Sequence, residues 1–549
     1  MTILYGGFEG TDEKICENTK SLGEFLLKKL QEHGDHILLS EGKSDKKLKA
    51  NEIRSHIIRL ANNIKSKFAI KSGDVLSICS ENRIEFCLTT IAAFLIGAIV
   101  APLNTSYTEW ELNHAVNVSK PQLLFVSISN YEKCLKLKQQ HSFIDKIIFY
   151  AENDAQVNFS FTKDAVPFNE LLSKTASGSN NFSCQEQNMK EHVALIQCSS
   201  GTTGLPKGVQ LTQFNILMAN TQFKERDAKL EGPIGYGRII LGYLPIFHAY
   251  GMLISIISII QGSKLVLLPR FAEEDFLRTI DIFKITTIFA VPPTMIFLAK
   301  SPLIDKFNLR SLRSIICGAA PLGKEIETDV KQRIGLKVVR QGYGMTEGTF
   351  AFLIQDDNHT TNGSVGVLLK GLYGRVCDKE TGHLLGPNQH GEIQLKGDSI
   401  MKGYVGNKQA TSAIIDSDGW LQTGDIGYFN TNGEWFVVDR LKELIKYKGF
   451  QVPPAELEAI ILTNSEIEDV GVIGIPDPLC GELPFAFIVR RPNSSINEQD
   501  VIRFVADKVS SSKWLRGGVK FVHAIPKSPS GKILRRELRQ MAEKHKCKL

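Results

Sequence analysis

The sequence predicts an α/β protein with a large N-terminal domain, in which parallel-rich sheets are layered with helices, and a small, mobile α+β C-terminal domain. The first observation is a series of short apolar runs bounded by Gly, Pro or Ser, at residues 193–198, 239–244, 264–268, 287–291 and 314–317. The second observation is that amphipathic stretches long enough for helices, such as 274–283 and 323–335, separate several of these runs. Strands that alternate with helices are typical of largely parallel, buried sheets.

The pattern of predicted elements changes after residue 370. Closely spaced strand and turn signals follow one another there, as at 391–396. A charged run at 439–443 comes next, and strands and helices mix again beyond it, in enough chain for a small α+β domain. We therefore place the domain boundary near Asp439. The predicted domains are residues 1–438 and residues 439–549.

Length and composition exclude several classes of protein. A chain of 549 residues is too long for one small module, and 43% hydrophobic with 23% charged residues excludes wholesale disorder. The ten cysteines show neither a CxxC pair nor zinc-type spacing, so we expect reduced core thiols and no disulfide scaffold. Residues 1–10 lack the charged start and apolar core of a signal peptide, which makes a cytosolic origin the default.

Two stretches of the sequence could indicate nucleic-acid binding or a membrane-spanning segment. Residues 513–549 contain 11 Lys or Arg and two Glu, but only Trp514 and Phe521 stand among these charges as stacking platforms. We therefore expect no nucleic-acid partner. Residues 86–103 are 18 residues without a charge, yet Gly97 interrupts them and no basic cluster flanks them. We expect a buried helix running through Gly97 into a short strand, and no transmembrane segment.

A loop rich in Gly, Ser and Thr follows the apolar run at 193–198 and reads C-S-S-G-T-T-G-L-P-K-G-V from Cys198 to Val209. The backbone N–H groups, hydroxyls and lysine of such a loop can wrap phosphate oxygens. It is not a Walker A loop, because its lysine precedes the last glycine and its hydroxyls come before the lysine. The predicted phosphate-binding residues are Ser199, Ser200, Gly201, Thr202, Thr203, Gly204 and Lys207.

This loop resembles the phosphate-loop signature of the adenylate-forming family, which comprises acyl-CoA synthetases, 4-coumarate-CoA ligases, beetle luciferases and peptide-synthetase adenylation domains. Further segments that resemble family motifs follow in order along the chain. They are C-S-E-N at 79–82, Y-L-P-I-F-H-A-Y-G-M at 243–252, G-A-A-P at 318–321, Q-G-Y-G-M-T-E at 341–347, Q-T-G-D at 422–425, L-I-K-Y-K-G-F-Q-V-P-P-A-E at 444–456 and P-K-S-P-S-G-K at 526–532. The sequence is most similar to insect luciferase-like acyl-CoA synthetases.

The resemblance implies a site for ATP and Mg²⁺. Tyr343 is expected to stack on adenine, Thr346 to touch the α-phosphate and Glu347 to hold Mg²⁺. Asp425 is expected to accept both ribose hydroxyls, with Arg440 assisting. The other implied contacts are Gln341 and Gly342 to the nucleotide and Thr202 to the metal.

The same resemblance implies an acyl pocket. His248 resembles a wall between the carboxylate pocket and the thiol channel, although a lone His among apolar residues is more often a core residue. Small side chains in the pocket would leave room for a ligand. The implied pocket residues are His248, Tyr250, Gly318, Ala319, Ala320 and Gly344.

Two lysines of the predicted small domain carry the implied mechanism. Lys532 resembles the family's adenylation lysine, which bridges the substrate carboxylate and the α-phosphate, and Lys446 lies in the loop that meets the thiol acceptor in family members. One domain thus offers two faces, and residues 439–442 are the natural hinge for its rotation between half-reactions. The implied contacts to coenzyme A are Lys446, Gly449, Phe450 and Gln451.

The last three residues, Cys547, Lys548 and Leu549, resemble the peroxisomal S-K-L address, with Cys in place of Ser. Such a signal acts at an extreme C-terminus, which is where this tripeptide lies. We therefore predict a peroxisomal location and a peroxisomal import receptor as a partner.

These features predict an ATP-dependent, AMP-forming acid-thiol ligase, an acyl-CoA synthetase of fatty acid metabolism with a medium or long-chain substrate. The alternative is a luciferase-type monooxygenase that adenylates a luciferin-like acid and oxidises it with O₂. Beetle luciferases place a substrate-binding arginine at a position that falls within residues 219–222 here, and none of these is basic, which disfavours the alternative. A peptide-synthetase module is disfavoured because no carrier domain follows Lys532. An inactive binding protein is disfavoured because all the charged motif positions are present.

Overall fold

The computed structural model describes most of the chain, in ten segments. They are residues 2–7, 19–151, 165–173, 181–199, 206–231, 237–336, 339–356, 361–448, 450–529 and 531–546. Within these segments the strands form four sheets, three in a large N-terminal domain and one in a smaller C-terminal domain. The predicted α/β class is confirmed, with its parallel-rich large domain and its small second domain.

The first sheet of the large domain has nine strands within the described segments. In spatial order they are Val367–Leu368, Leu353–Ile354, Val339–Tyr343, Ser314–Cys317, Thr287–Ala290, Ile239–Gly242, Lys264–Leu267, Ile37–Glu41 and Lys47–Lys49. The six central strands are parallel to one another. The strand Ile239–Gly242 ends two residues earlier than predicted, and the chain turns shortly after it, where His248 N–H donates to the carbonyl oxygen of Pro245.

The second sheet has eight strands among the described residues. In spatial order they are Gly403–Tyr404, Lys207–Thr212, Val193–Ser199, Ile99–Pro102, Val75–Cys79, Leu123–Ser127, Lys146–Tyr150 and Ala165–Pro167. The predicted helix that precedes the strand Ile99–Pro102 spans Ile84–Ile96. It does not run through Gly97, because Gly97 adopts the left-handed conformation, with φ of 80°, that ends many helices.

The third sheet is antiparallel and completes the large domain. Its described strands are Leu4–Tyr5, Tyr373–Cys377, Gly391–Lys396, Leu421–Phe429 and Trp435–Arg440. The last strand crosses the predicted boundary between residues 438 and 439, because Asp439 and Arg440 remain paired with Ile426 and Asp425. The strand ends at Arg440. The next residue, Leu441, is outside the strand, and its N–H donates to the carbonyl oxygen of Gly424.

The small domain has its own sheet and its own apolar core. Its described strands are, in spatial order, Phe450–Val452, Ile445–Tyr447, Gly481–Arg490 and Ile467–Asp477, and Gly518–Phe521 pairs in parallel with Gly481–Arg490. Its buried apolar clusters are separate from the large-domain cluster, which extends from Leu22 to Trp435. Between the domains, the Asp439 carboxylate accepts a hydrogen bond, 3.0 Å long, from the N–H of Ala455 at the start of the helix Pro454–Leu462.

Helices pack on both faces of the two parallel-rich sheets and on the sheet of the small domain. The described α-helices are Leu22–His33, Ala50–Phe68, Ile84–Ile96, Glu109–Ser119, Tyr131–Gln140, Phe168–Leu172, Gln213–Glu231, Ala249–Gln261, Glu273–Phe283, Pro292–Lys300, Lys324–Ile334, Lys408–Ser412, Pro454–Leu462, Glu498–Ala506 and Arg535–Lys546. None of these helices combines the length and the apolar character needed to cross a bilayer.

Candidate active site

The carboxyl ends of two neighbouring parallel strands bring three of the predicted pocket and nucleotide residues together. Gly318 directly follows the strand Ser314–Cys317, and Gly342 lies in the adjacent strand. A Cβ atom added to Gly318 would lie 3.3 Å from the carbonyl oxygen of Gly342 and 3.6 Å from the hydroxyl oxygen of Tyr250. Ligands of open α/β sheets bind beyond the carboxyl ends of the strands, so this edge is where a substrate would enter.

The backbone at this edge is specialised. Ala319 has φ of 72°. This left-handed conformation costs a non-glycine residue about 1–3 kcal/mol and tends to occur at functional sites. Gly344 has no room for a side chain, because a Cβ atom there would collide with the carbonyl oxygen of Phe350. Ala320, the next predicted pocket residue, is half-buried beside Ala319.

Aromatic side chains form an apolar wall around Tyr250. Its ring centroid lies 6.0 Å from that of Phe350 and 6.2 Å from that of Phe289. Phe223 contacts the same two phenylalanines at 5.6 and 5.8 Å. Phe223 and Phe289 are not among the predicted pocket residues. Phe223 lies in the helix Gln213–Glu231 and Phe289 in the strand Thr287–Ala290, with no motif at either position, and the fold alone brings the two rings together.

A buried arginine borders this aromatic wall. The guanidinium carbon of Arg238 lies 5.9 Å from the ring centroid of Phe223 and 6.0 Å from that of Phe289. Burial, together with the charge of Arg340, lowers the pKa of Arg238 to about 10. A charged residue directly before a buried strand is a signal that sequence inspection could have used. The uncharged positions 219–222 therefore do not leave this wall without a cation.

His248 directly precedes the helix Ala249–Gln261 without capping it through its side chain, and its ring lies next to that of Phe247, at 4.8 Å between ring centroids. Its Nε2 atom is buried and forms no hydrogen bond with any residue that the structure describes. Burial lowers the pKa of His248 to about 4, so the imidazole is neutral at physiological pH. Buried core groups are normally hydrogen-bonded, so this ring resembles a ligand-facing residue more than a core residue.

Tyr343, Asp425 and Arg440, all predicted to hold the nucleotide, form one group that we name the Asp425 cluster. The Tyr343 hydroxyl donates to Oδ2 of Asp425 at 2.6 Å, and Nε of Arg440 lies 3.5 Å from Oδ1. Burial raises the pKa of Asp425, and the charge of Arg440 and the hydrogen bond from Tyr343 oppose this shift. The direct pairing of Asp425 with Arg440 on neighbouring strands produces this arrangement.

Gln341 is also predicted to contact the nucleotide, but its side chain is engaged elsewhere in this structure. Its amide donates to Oε2 of Glu327 at 2.9 Å, and its backbone N–H donates to the side chain of Gln355 at 2.8 Å. All three residues are buried. Gln341 therefore braces the strand Val339–Tyr343 against the helix Lys324–Ile334.

Glu347, the predicted metal ligand, lies in the 3₁₀ turn Thr346–Gly348 and is connected to Lys207 through Tyr404, a residue that the motifs do not predict. The Tyr404 hydroxyl donates to Oε1 of Glu347 at 2.8 Å, and Nζ of Lys207 lies 4.8 Å from the centroid of the Tyr404 ring. No group of three His, Cys, Asp or Glu side chains that could hold a metal occurs in the described part of the chain. A single carboxylate nevertheless fits Mg²⁺, which takes one or two carboxylates and completes its shell with phosphate oxygens and waters.

The predicted phosphate loop connects two antiparallel strands in which Ser199 and Lys207 are direct partners. His114 donates from Nε2 to the carbonyl oxygen of Pro206 at 2.9 Å, which fixes the point where the chain leaves the loop. Other predicted residues lie outside the described segments: Ser200, Gly201, Thr202, Thr203, Gly204, Gly449 and residues 547–549.

Lys532 reaches the Asp425 cluster from the small domain. Its backbone N–H donates to Oγ of Ser528 at 3.1 Å in a tight turn. In that turn, a Cβ atom on Gly531 would lie 3.1 Å from Pro293 of the large domain. Burial and the charge of Arg440 lower the pKa of Lys532 to about 8, against the opposing charges of Glu443 and Asp425. Lys532 is therefore close enough to Asp425 and Arg440 for their charges to shift its pKa, and Asp425 is affected by Lys532 in turn.

Lys446 lies elsewhere, on an exposed hairpin where it pairs with Gln451. It lines a cleft of about 660 Å³ between the two domains, together with Glu456 and Lys513 of the small domain. None of the Asp425 cluster residues lines this cleft, and neither does Lys532. Phe450, on the same hairpin, is 60% exposed. The two predicted lysines thus occupy different surroundings in this domain orientation.

The fold and this site together define a class of enzyme. A buried aspartate of the large domain is paired with a tyrosine and an arginine, and a small second domain brings a lysine near this group. Residues 26–405 match the family model of the AMP-binding enzyme, and residues 456–532 match that of the AMP-binding enzyme C-terminal domain. This chain belongs to the AMP-binding enzyme family.

Relatives and solved structures agree with this assignment. The chain is 42% identical to luciferin 4-monooxygenase of Photuris pensylvanica over 491 residues, and the aligned region covers 89% of each chain. It is 36% identical over 537 residues to probable 4-coumarate–CoA ligase 3 of Dictyostelium discoideum, covering 95% of each. ATP-bound MatB from Rhodopseudomonas palustris superposes with a TM-score of 0.83 at 24% identity, covering 94% of this chain and 98% of that one. The predicted adenylate-forming superfamily and AMP-forming enzyme class are confirmed.

Proposed function

We propose that this protein is an acyl-CoA synthetase, which activates a carboxylic acid with MgATP to acyl-AMP and pyrophosphate and then transfers the acyl group to coenzyme A. The observation that carries the proposal is the position of Lys532 at the Asp425 cluster. Joining a carboxylate to an α-phosphate concentrates negative charge in the transition state, and a fixed, desolvated ammonium group stabilises such charge.

The other groups of the site would bind and orient the nucleotide. Tyr343 would supply the adenine-stacking face, and Asp425 with Arg440 would hold the ribose hydroxyls. Thr346 would contact the α-phosphate. Glu347, and Thr202 by resemblance, would hold Mg²⁺, which supplies positive charge to the phosphates when bound. All of these groups prepare the α-phosphate for attack, and none of them acts as a nucleophile.

We further propose that the acid is a medium or long-chain fatty acid and that coenzyme A is the acceptor. The aromatic wall of Tyr250, Phe289 and Phe350 offers the apolar surface that an acyl chain needs. Relatives named 4-coumarate–CoA ligases support the acceptor. Asp439 and Arg440, the first half of the predicted hinge, belong to the strand Trp435–Arg440, so the small domain would turn about residues 441 and 442. Lys446 would meet coenzyme A after this turn, since it lies away from the Asp425 cluster here.

A luciferase-type monooxygenase is the second candidate, and one observation favours it. Arg238 brings a buried cation to the aromatic wall, which an anionic or phenolic acid could use in place of an arginine at positions 219–222. The relatives named luciferin 4-monooxygenase point the same way. We rank this candidate below the ligase, because none of residues 219–222, where beetle luciferases place a substrate-binding arginine, is basic.

The two candidates predict different products. With ATP, coenzyme A and a panel of short, medium, long-chain and aromatic acids, the protein should form thioesters fastest with medium or long chains. With ATP and beetle luciferin it should emit only weak light. Chromatography of acyl-CoA and AMP, together with photon counting, measures both activities. Bright emission with negligible thioester formation would contradict the ligase proposal and support the monooxygenase.

We also propose a peroxisomal location, on the basis of the terminal residues Cys547, Lys548 and Leu549. Deleting them should turn a punctate fluorescent fusion into a diffuse one, because the signal is read as a free C-terminus. Activity should be unchanged, since the removal of a few terminal residues rarely affects the folded part of a domain. The replacement Cys547→Ser, which restores S-K-L, is the matched control and should keep the puncta. Puncta that survive the deletion would refute the proposal.

A further inference from the structure

Tyr404 lies between two groups of opposite charge near the nucleotide site. Its hydroxyl donates to Oε1 of Glu347 at 2.8 Å, and its ring lies 4.8 Å from Nζ of Lys207. Tyr404 and Glu347 are both buried. The tyrosine therefore contacts an anion through its hydroxyl and a cation through the face of its ring, and each contact is favourable for a tyrosine.

Backbone hydrogen bonds fix the tyrosine at this place. On one side, Lys402 N–H donates to the carbonyl oxygen of Gln210 at 3.0 Å, and Val405 N–H donates to that of Gly208 at 2.8 Å. These bonds tie Tyr404 to the strand that begins at Lys207. On the other side, Met401 N–H donates to the carbonyl oxygen of Glu347 at 2.8 Å. One short segment thus joins the exit of the phosphate loop to the turn that carries Glu347.

We propose that Tyr404 is a positioning residue that keeps Lys207 and Glu347 apart and so keeps both charges available to MgATP. The inference rests on the proposed function, because only an ATP-binding site has use for both charges. A lysine and a glutamate that are both partly desolvated attract each other strongly, and a direct ion pair would neutralise the groups needed for phosphate and for metal. The ring blocks that ion pair, and the hydroxyl orients the carboxylate.

Two replacements separate these two contributions. Tyr404→Phe keeps the ring against Lys207 and removes the hydrogen bond to Glu347. Partners that orient a metal-binding side chain are typically worth about 10- to 100-fold in metal affinity. Mg²⁺ should strengthen ATP binding in both the wild type and the variant. We expect the variant to need a higher Mg²⁺ concentration, by about this factor, for half of that effect. Metal-free ATP binding should stay unchanged, because Lys207 keeps its place.

Tyr404→Leu removes both the hydroxyl and the aromatic ring. Lys207 and Glu347 can then approach each other. We expect weaker ATP binding even without metal, by about tenfold, which corresponds to the loss of one charge-assisted contact. The difference between the two variants in metal-free ATP binding thus reports the separation of the charges.

Isothermal titration calorimetry with ATP, in EDTA and over a series of Mg²⁺ concentrations, measures both effects without acid or turnover. Tyr150→Phe is the matched control, since Tyr150 is also buried and hydrogen-bonded through its hydroxyl, to Thr89 at 2.9 Å, but lies outside the site. If Tyr404→Leu binds metal-free ATP as tightly as Tyr404→Phe, the ring does not keep the two charges apart and the proposal is wrong. If Tyr404→Phe needs no more Mg²⁺ than Tyr150→Phe, the hydroxyl does not orient Glu347. A wild-type protein that binds no ATP would overturn the proposed function itself.

Discussion

Replacing Lys532 with alanine should slow formation of the acyl-adenylate by about 10²–10³-fold, the usual cost of removing one preorganised donor at a developing anionic centre. Lys532 reaches the Asp425 cluster from a turn in the small domain, and nothing else in that turn carries a charge that could replace it. Thioester formation from a supplied acyl-adenylate should be largely preserved. Pyrophosphate release and acyl-CoA formation, measured separately, give the two rates.

Lys446→Ala is the matched control for this experiment. Lys446 lines the cleft between the domains, away from the Asp425 cluster, so pyrophosphate release should stay nearly normal while transfer to coenzyme A slows. If each variant reduced both half-reactions equally, the assignment of different tasks to the two lysines would be wrong. A loss below tenfold in pyrophosphate release for Lys532→Ala would contradict its role in adenylation.

The pH dependence provides a second test of Lys532. Burial lowers its pKa to about 8, so the charged form predominates below this pH and is lost above it. The profile of kcat/KM reports the free enzyme, so adenylation should decline as the pH rises through about 8. Lys532→Arg should lose this alkaline limb, because a guanidinium group stays protonated. An alkaline limb that persists in this variant would assign the titration to another group.

Arg535→Ala should destabilise the small domain by about 3–5 kcal/mol, the typical cost of leaving a buried charge without its partner. Nη2 of Arg535 contacts both carboxylate oxygens of Glu458, at 2.7 and 2.8 Å, and Nη1 lies 3.0 Å from Glu443. Its Nε donates to the carbonyl oxygen of Val472 at 3.1 Å. One side chain therefore joins the segment after the predicted hinge to the core of the domain.

Hydrogen exchange of the small-domain amides in the full-length protein measures this loss without assuming that the whole chain unfolds in one step. Arg536→Ala is the control, because Arg536 is adjacent but exposed, and such replacements usually change stability by less than about 0.5 kcal/mol. Burial raises the pKa of Glu458 to about 7, so at pH 6 a larger fraction is neutral and needs no partner. The destabilisation should therefore be smaller at pH 6 than at pH 8. Equal losses for both arginines would refute the role of Arg535.

The motifs predicted those parts of the site that are continuous in sequence, and missed the parts that the fold assembles. Lys532 and Asp425 stand in short segments that resemble family motifs, and this resemblance, more than the residue types alone, suggested their roles. Tyr404 and Phe289 stand in strands with no such pattern, and they reach the site only because these strands lie next to those that carry the motifs. Their contribution depends on sheet order, which no local window of sequence contains.

The charged run at 439–443 shows a different reason for error. The sequence analysis places the domain boundary and the hinge in this run, yet Asp439 and Arg440 continue the strand Trp435–Arg440, because cross-strand pairing with residues 425 and 426 holds them in the ladder. Charged residues favour solvent only when no partner is available. Here Asp425 gives Arg440 a partner.

The hydrogen bond from Ala455 to Asp439 joins the two domains and so affects the equilibrium between different orientations of the small domain. The helix Pro454–Leu462 has no cap from its own preceding residue, Pro453, so a carboxylate of the other domain caps it. A cap of this kind is worth about 1 kcal/mol, or roughly a fivefold ratio between two states. Any orientation that separates Asp439 from Ala455 exposes an uncapped helix end, and the loss of this cap alone disfavours it by about this factor. The Asp439 carboxylate therefore contributes to the balance between this orientation of the small domain and any orientation that breaks the hydrogen bond.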